Sequence, residues 1–300
     1  MSYDLFFRWR NLDSAVSEEG LLQYFRSRPL YEVSGNQAWY SNETTGVYFL
    51  FEMGPEPEIE PDEEPPSADL APVMFNLNYF RPHFFGLEAE PELTAFVRKF
   101  DLLVSDPQNQ GMGEGEYSPE GFLRGWNAGN EFGYRAILTH QDASDFHSLP
   151  TSVLESLWQW NLTRDSRHET RGDEIYIPRI FYFEHHGLLR TGVAWGDAMP
   201  ILLPKVDLLI VPRKELAPRG LFKRSEDVTL LEWADVEPIV NRFAVIEDAL
   251  PAHSLEYTTP PDDLANLIRS KKPPQSLPQG IAPDQVLNSE IFEEINAEKA

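Results

Sequence analysis

The sequence predicts an α+β fold: an N-terminal ferredoxin-like or similar open α/β sandwich, followed by a helical segment and an antiparallel β-meander. Three observations carry this. Strand-like and helix-like segments alternate as β-α-β-β-loop-β-α-β over the first hundred residues, a glycine-rich stretch interrupts the pattern near residue 110, and short strand candidates follow one another from Ile175 to Val211.

Each element has a local reason. Tyr3 to Trp9 reads as a buried strand, and Ser17 then caps a helix with Glu18 and Glu19 in its first turn and Pro29 as its stop. Gln37 to Tyr40 and Gly46 to Met53 flank a polar turn. In the second run Val47, Phe49, Phe51 and Met53 alternate with Tyr48, Leu50 and Glu52, which predicts a hairpin. Residues 54–69 are almost wholly acid and proline, with nothing to bury, and predict a solvated loop. Val73 to Arg81 is a further strand. A helix is expected after Pro91, on the stripe Leu93, Phe96, Val97 and Phe100, and Leu102 to Val104 a short edge strand.

Asn109 to Glu116 is expected to hinge two domains, 1–108 and 116–250, with 251–300 a polar, proline-rich and loosely packed tail holding a helix near Asp284 to Asn296. Ser118-Pro119 and the box Ser152-x-x-Glu155 open two helices. The meander is assigned to Ile175–Glu184, Leu188–Trp195, Pro200–Leu203 and Val206–Val211. A strand at Val228–Leu231 and a helix around Asp235–Phe243, with Pro238 confined to its first turn, complete the order.

The composition bounds function. Forty-nine Asp and Glu against twenty-five Lys and Arg give a formal charge of -24, which repels nucleic-acid phosphates and anionic lipid and attracts basic partners. Cysteine is absent, as suits a reducing compartment. No segment approaches a membrane-spanning length and the N-terminal apolar run is too short for a signal peptide, so the expectation is a cytoplasmic protein binding neither nucleic acid nor membrane.

Catalytic signatures are missing. There is no phosphate loop, no His-Glu-x-x-His and no nucleophile elbow, and Gly111, Gly113 and Gly115 are wrongly spaced for a dinucleotide loop. His140, Asp142, Asp145 and His147 gather the donors a zinc or manganese site needs, but their spacing matches no known ligand pattern; Glu184-His185-His186-Gly187 reads as a hairpin turn. No catalytic, cofactor or metal residue is therefore assigned. Arg164, Arg167, His168 and Arg171 alternate with acids and predict a self-paired charged surface. Lys205, Arg213, Lys214, Arg219, Lys223 and Arg224 form a basic region on a solvated face. Partner binding is assigned to the aromatics Trp39, Tyr40 and Tyr48 and to the acids Glu56, Glu58, Glu60, Asp62, Glu63 and Glu64.

The segments Tyr3-Asp4-Leu5-Phe6-Phe7, Tyr24-Phe25-x-x-Arg28, Gln37-Ala38-Trp39-Tyr40 and Thr44-Thr45-Gly46-Val47-Tyr48-Phe49 resemble bacterial proteins of polymorphic-toxin and type VI secretion loci. The resemblance implies an immunity protein: cytoplasmic, not an enzyme, without cofactors, binding a cognate toxin and occluding its active site. The rival classes are a metal-assisted hydrolase using His140, Asp142, Asp145 and His147, and a scaffold component of a secretion system.

Overall fold

A computed structural model of the chain describes all residues except 55–67, 109, 143–144, 173, 219–225, 248 and 300. It is a mixed helix and strand protein built on antiparallel sheets, and it forms two compact units: residues 1–151 with 284–300, and residues 152–283.

Unit 1 runs β1 (Ser2–Trp9), α1 (Glu18–Arg26), β2 (Tyr31–Ser34), β3 (Gln37–Asn42), β4 (Val47–Met53), β5 (Leu70–Asn78), α2 (Phe84–Phe100), β6 (Leu102–Asp106), β7 (Gly113–Gly115), α3 (Pro119–Leu138) and β8 (His147–Leu149). Its seven-stranded sheet has the order β2-β3-β4-β5-β1-β6-β7, and every pair in it is antiparallel. Along β1 burial alternates residue by residue, so Tyr3, Leu5, Phe7 and Trp9 point to one face. On that face Phe96 of α2 meets Phe7 and Phe51, Phe25 of α1 lies 4.7 Å from Phe51, and Phe122 of α3 meets Tyr3 and Phe75. Edge-to-face and tilted rings of this kind add to the energy of area burial and fix the helices over the sheet.

Ser17 caps α1 and Ser118 caps α3, each accepting from the N–H three residues on. Proline departs from expectation. Helix α2 begins at Phe84, so Pro91 lies inside it and forgoes one helical hydrogen bond; the buried run of Phe84, Phe85, Ala89, Leu93 and Phe96 outweighs that loss.

The described residues of the expected hinge, 110–116, are held by Asp106 and carry a strand. Asp106, buried, accepts from the Tyr3 hydroxyl at 2.5 Å and from the N–H groups of Gln108 and Met112, while β7 adds an edge strand at Gly113–Gly115. A Cβ at Gly111 would stand 2.1 Å from the Asp106 carboxylate, which is why the turn needs glycine there.

Unit 2 continues with α4 (Thr151–Leu162), whose first residue lies in unit 1, then α5 (Arg164–Arg171), β9 (Phe181–His185), β10 (Leu188–Ala194), β11 (Ile201–Pro204), β12 (Leu208–Arg213), β13 (Asp227–Glu232), α6 (Trp233–Val240), β14 (Ala244–Ile246), β15 (Ala252–Leu255), α7 (Asp262–Ser270) and β16 (Gln279–Ile281). The expected meander holds only at β9–β10, joined by the two-residue turn His186-Gly187 with both φ values positive. Beyond it β10 pairs β12 in parallel, because β11 leaves the sheet to pair β15. The departure is made by a turn in which Asp197 and Ala198 adopt left-handed φ values of 45° and 51°. The Asp197 carboxylate holds it by accepting from the N–H groups of Lys214, Glu215 and Leu216. Helix α6 starts two residues earlier than expected, on the capping box Glu232/Asp235, and so places Pro238 beyond its first turn.

The last segment returns to unit 1 as β17 (Val286–Asn288) and α8 (Ser289–Lys299). The loosely packed tail is therefore replaced by packed elements. Val286 and Leu287 are buried in β17, which pairs β8 in parallel, and Leu287, Phe292 and Ile295 cluster with Tyr134 and Leu138 of α3. Asn288 Oδ1 accepts from the His83 N–H, its amide donates to Thr151 Oγ1, and Glu290 accepts the N–H and hydroxyl of Thr151.

Candidate partner-binding face

The residues of β1, β3, β4 and β5 that alternate with the aromatic core form the second face of the unit 1 sheet. Two rows cross it. Glu32, Trp39, Leu50, Asn76 and Asp4 stand opposite one another from β2 to β1, and next to them Gln37, Glu52, Met74, Phe6, Ser105 and Glu114 run from β3 to β7. Leu50, Met74 and Phe6 give this face an apolar middle, and its largest exposed side chain is Trp39, at 42%.

Trp39 is held although exposed. Its indole Nε1 donates to Gln37 Oε1 at 3.1 Å, and the Gln37 amide donates to Glu52 Oε1 at 3.2 Å, so the ring is braced along β3 and across to β4. Glu32 stands directly opposite it on β2 and Glu52 lies diagonally on β4, while Asp4 and Glu114 lie farther across the same face, on β1 and β7. Arg8, on the same face, is already taken by Asp69 at 2.8 Å and Glu114 at 2.6 Å. The Ser105 hydroxyl and Arg8 together hold the Glu114 carboxyl below its usual range.

A cleft of about 580 Å³ adjoins this face at the start of β1. Strand β6 pairs β1 only from Phe6 to Trp9, so Ser2 and Asp4 border open space on that side, facing Gln108, Gln110 and the α3 residues Gly129 and Phe132. Asp4 accepts from Ser2 and from Asn76. Burial, with the carboxylates of Asp4 and Asp106 adding to it, pushes the Tyr79 phenol up to about 12, so Tyr79 stays a neutral hydroxyl, and it donates to Gln108 Oε1. The cleft offers a carboxylate, amide oxygens and the 64% exposed ring of Phe132, a set suited to a cationic group.

The residues assigned from sequence separate. Trp39 lies on the outer face. Tyr40, its neighbour, is buried on the inner one, stacked on Phe49 at 4.3 Å with its hydroxyl on Glu88, and cannot reach a partner. Tyr48 is half-buried, packed edge-on against Phe85 and donating to Asp284 at 2.9 Å. Glu56, Glu58, Glu60, Asp62, Glu63 and Glu64 lie outside the described residues. His140, Asp142 and Asp145 are exposed and His147 is half-buried in β8; among the described residues no three His, Asp or Glu side chains are grouped as a metal needs.

The charged segments also differ from expectation. In the basic region Arg213 is buried: its Nε and Nη2 donate to the two carboxylate oxygens of Asp227 and its Nη1 to the carbonyls of Ile268 and Lys271, so it ties β12 to β13 and to the end of α7. Lys205 and Lys214 stand 3.8 and 4.0 Å from Glu237 and Glu226, and Arg219, Lys223 and Arg224 lie outside the described residues. On α5, Arg164 pairs with Asp165, but Arg167 lies over the Trp160 ring at 4.6 Å.

Compared with models of protein families, with curated proteins and with solved structures, the chain matches none. No helix among the described residues is long and apolar enough to cross a membrane.

Proposed function

We propose that this chain is a non-catalytic binding protein of the immunity type, which docks a basic toxin on the outer face of its unit 1 sheet in the cytoplasm and occludes the toxin's active site. The observation that carries this reading is Trp39: a large aromatic, 42% exposed on the sheet, braced by Gln37 and Glu52 and flanked by Glu32 on β2. A pre-ordered indole loses little freedom on binding, and tryptophan is among the commonest interface anchors. The carboxylates Asp4, Glu32, Glu52 and Glu114, within a chain of net charge -24, favour a basic surface and steer its approach.

For the fold, the finer reading is that unit 1 elaborates a β-α-β-β-α-β sandwich. Strands β6-β1-β5-β4 lie in the order of that unit, β2–β3 extend one edge and β7 the other.

The test is co-expression with the product of the adjacent open reading frame. The full chain should bind it and restore growth of cells expressing it. Trp39→Ala should weaken binding by about 30-fold or more, the effect of losing an anchor of about 2 kcal/mol. Binding and rescue indifferent to Trp39→Ala and to Glu52→Lys would remove this face from the account.

A further inference from the structure

A second site, independent of the sheet face, lies in unit 2. Helix α5 and strands β11, β14 and β15 enclose a cleft of about 260 Å³. Its floor is apolar: Trp160, Leu202 and Ala252 are buried there, with Ile246 beside them. Its wall is Arg167 and Arg171 with the hydroxyls of Ser166 and Thr170, and no carboxylate is among the described residues that line it. In a chain with nearly twice as many acids as bases, two arginines on one wall are a local charge that favours an anion.

The two arginines are not equivalent. Arg167 is fixed over Trp160 and donates to the Trp160 carbonyl at 3.0 Å and to Thr163 Oγ1 at 2.6 Å. Arg171 is half-buried and its guanidinium forms no hydrogen bond or ion pair with a described residue, although Glu174 and Glu256 line a neighbouring cleft that it also borders. A half-buried guanidinium has lost part of its hydration and gains most from an anion that accepts two of its N–H groups. The hydroxyls of Ser166 and Thr170 donate to the carbonyls of Thr163 and Ser166, each at 2.8 Å, so toward the cleft they offer lone pairs and accept a donor.

We propose that this cleft binds a small organic acid: a carboxylate on Arg171, a short branched apolar body on Leu202 and Ile246, and a hydroxyl donating to Ser166 or Thr170. Its volume lies just below the lower end of about 300 Å³ usual for ligand sites, which limits the ligand to a small acid.

The probes follow from the three contacts. Calorimetric titration of the full chain with 2-hydroxy-4-methylpentanoate should give saturable binding below about 10 mM, with 4-methylpentanoate, which lacks the hydroxyl, weaker, and 4-methylpentanamide, which lacks the charge, weaker by about tenfold or more. Arg171→Gln should cost at least about tenfold in affinity for the hydroxy acid with the melting temperature unchanged, and Arg171→Lys should restore part of it by charge alone. The proposal is overturned if the amide binds as tightly as the acids, if Arg171→Gln binds as the natural chain does, or if no probe saturates. Inorganic phosphate binding more tightly than the hydroxy acid would also overturn it, since the apolar floor would then contribute nothing.

Discussion

The two faces of the unit 1 sheet use the same strands to opposite ends. On the inner face Tyr40, Phe49, Phe51 and Phe75 are buried and packed against one another, and Phe51 against Phe25 of α1 and Phe96 of α2. On the outer face the residues between them, Trp39, Leu50 and Met74, share their surface with Asn76, Glu52 and Asp4. A strand's period of two assigns neighbours to different tasks, so Trp39 and Tyr40, adjacent and both aromatic, divide into a candidate anchor and a core residue.

The comparison predicts a steep asymmetry in stability. Phe51→Ala, which removes a fully buried ring in contact with Phe25, Phe75 and Phe96, should cost about 3–5 kcal/mol of unfolding free energy in a urea titration. Trp39→Ala should cost about 0.5 kcal/mol or less, as surface substitutions usually do. Comparable losses at the two sites would mean that the outer face is also core.

Between these limits stands Glu88, a carboxylate of α2 buried beneath the inner face. Its Oε1 accepts from the Tyr40 hydroxyl at 2.8 Å, the Asn42 amide at 2.7 Å and the Thr45 hydroxyl at 3.0 Å, which locks the β3–β4 turn onto the helix. Glu88→Ala strands three donors and should lose about 2–3 kcal/mol, whereas Glu88→Gln keeps an acceptor oxygen and should lose less than half of that in the same titration. Equal losses for the two variants would show that charge, not acceptance, is what the network needs.

The smallest effect belongs to the outer face. Glu114, hydrogen-bonded by Ser105 and Arg8, has its carboxyl held below the usual range. A lowered carboxyl stabilises above its unfolded value of about 4.3, and that contribution is lost as pH falls through the lower folded value. Because the pair is largely exposed, Glu114→Gln should lower the unfolding free energy slightly near neutral pH, by no more than about a few tenths of a kcal/mol, and not at all in acid. A large or pH-independent loss would show that the network is a structural brace rather than a solvated rim.

What the sequence made legible was what is encoded locally. The Ser17 and Ser118 caps, the alternation along β4 and the His186-Gly187 turn each depend on a few consecutive residues, and each forms. What escaped depends on partners far along the chain. Val286, Leu287, Phe292 and Ile295 carry enough apolar surface to pack, but their neighbours Tyr134 and Leu138 lie some 150 residues earlier, and the proline-rich stretch before them suggested a tail. Arg213 looked like surface charge because its counterion Asp227 and its carbonyl partners at Ile268 and Lys271 come later in the sequence. The division of Trp39 from Tyr40 was available in the sequence. The alternation that sets Phe49 and Phe51 inward also fixes the parity of β3, since Tyr40 pairs with Phe49 and Trp39 with Leu50.

The outer face as the docking surface is the claim on which the functional reading depends, and side-chain oxidation by hydroxyl radicals tests it most directly. Free protein and its complex with the product of the adjacent open reading frame would be exposed to the same radical dose and the modified residues quantified by mass spectrometry. The account predicts that Trp39, Met74 and Phe6 become protected in the complex, Trp39 most of all, while Met199 and Leu188, exposed in unit 2, react as before. Unchanged oxidation of Trp39 in a complex that protects another surface would contradict it.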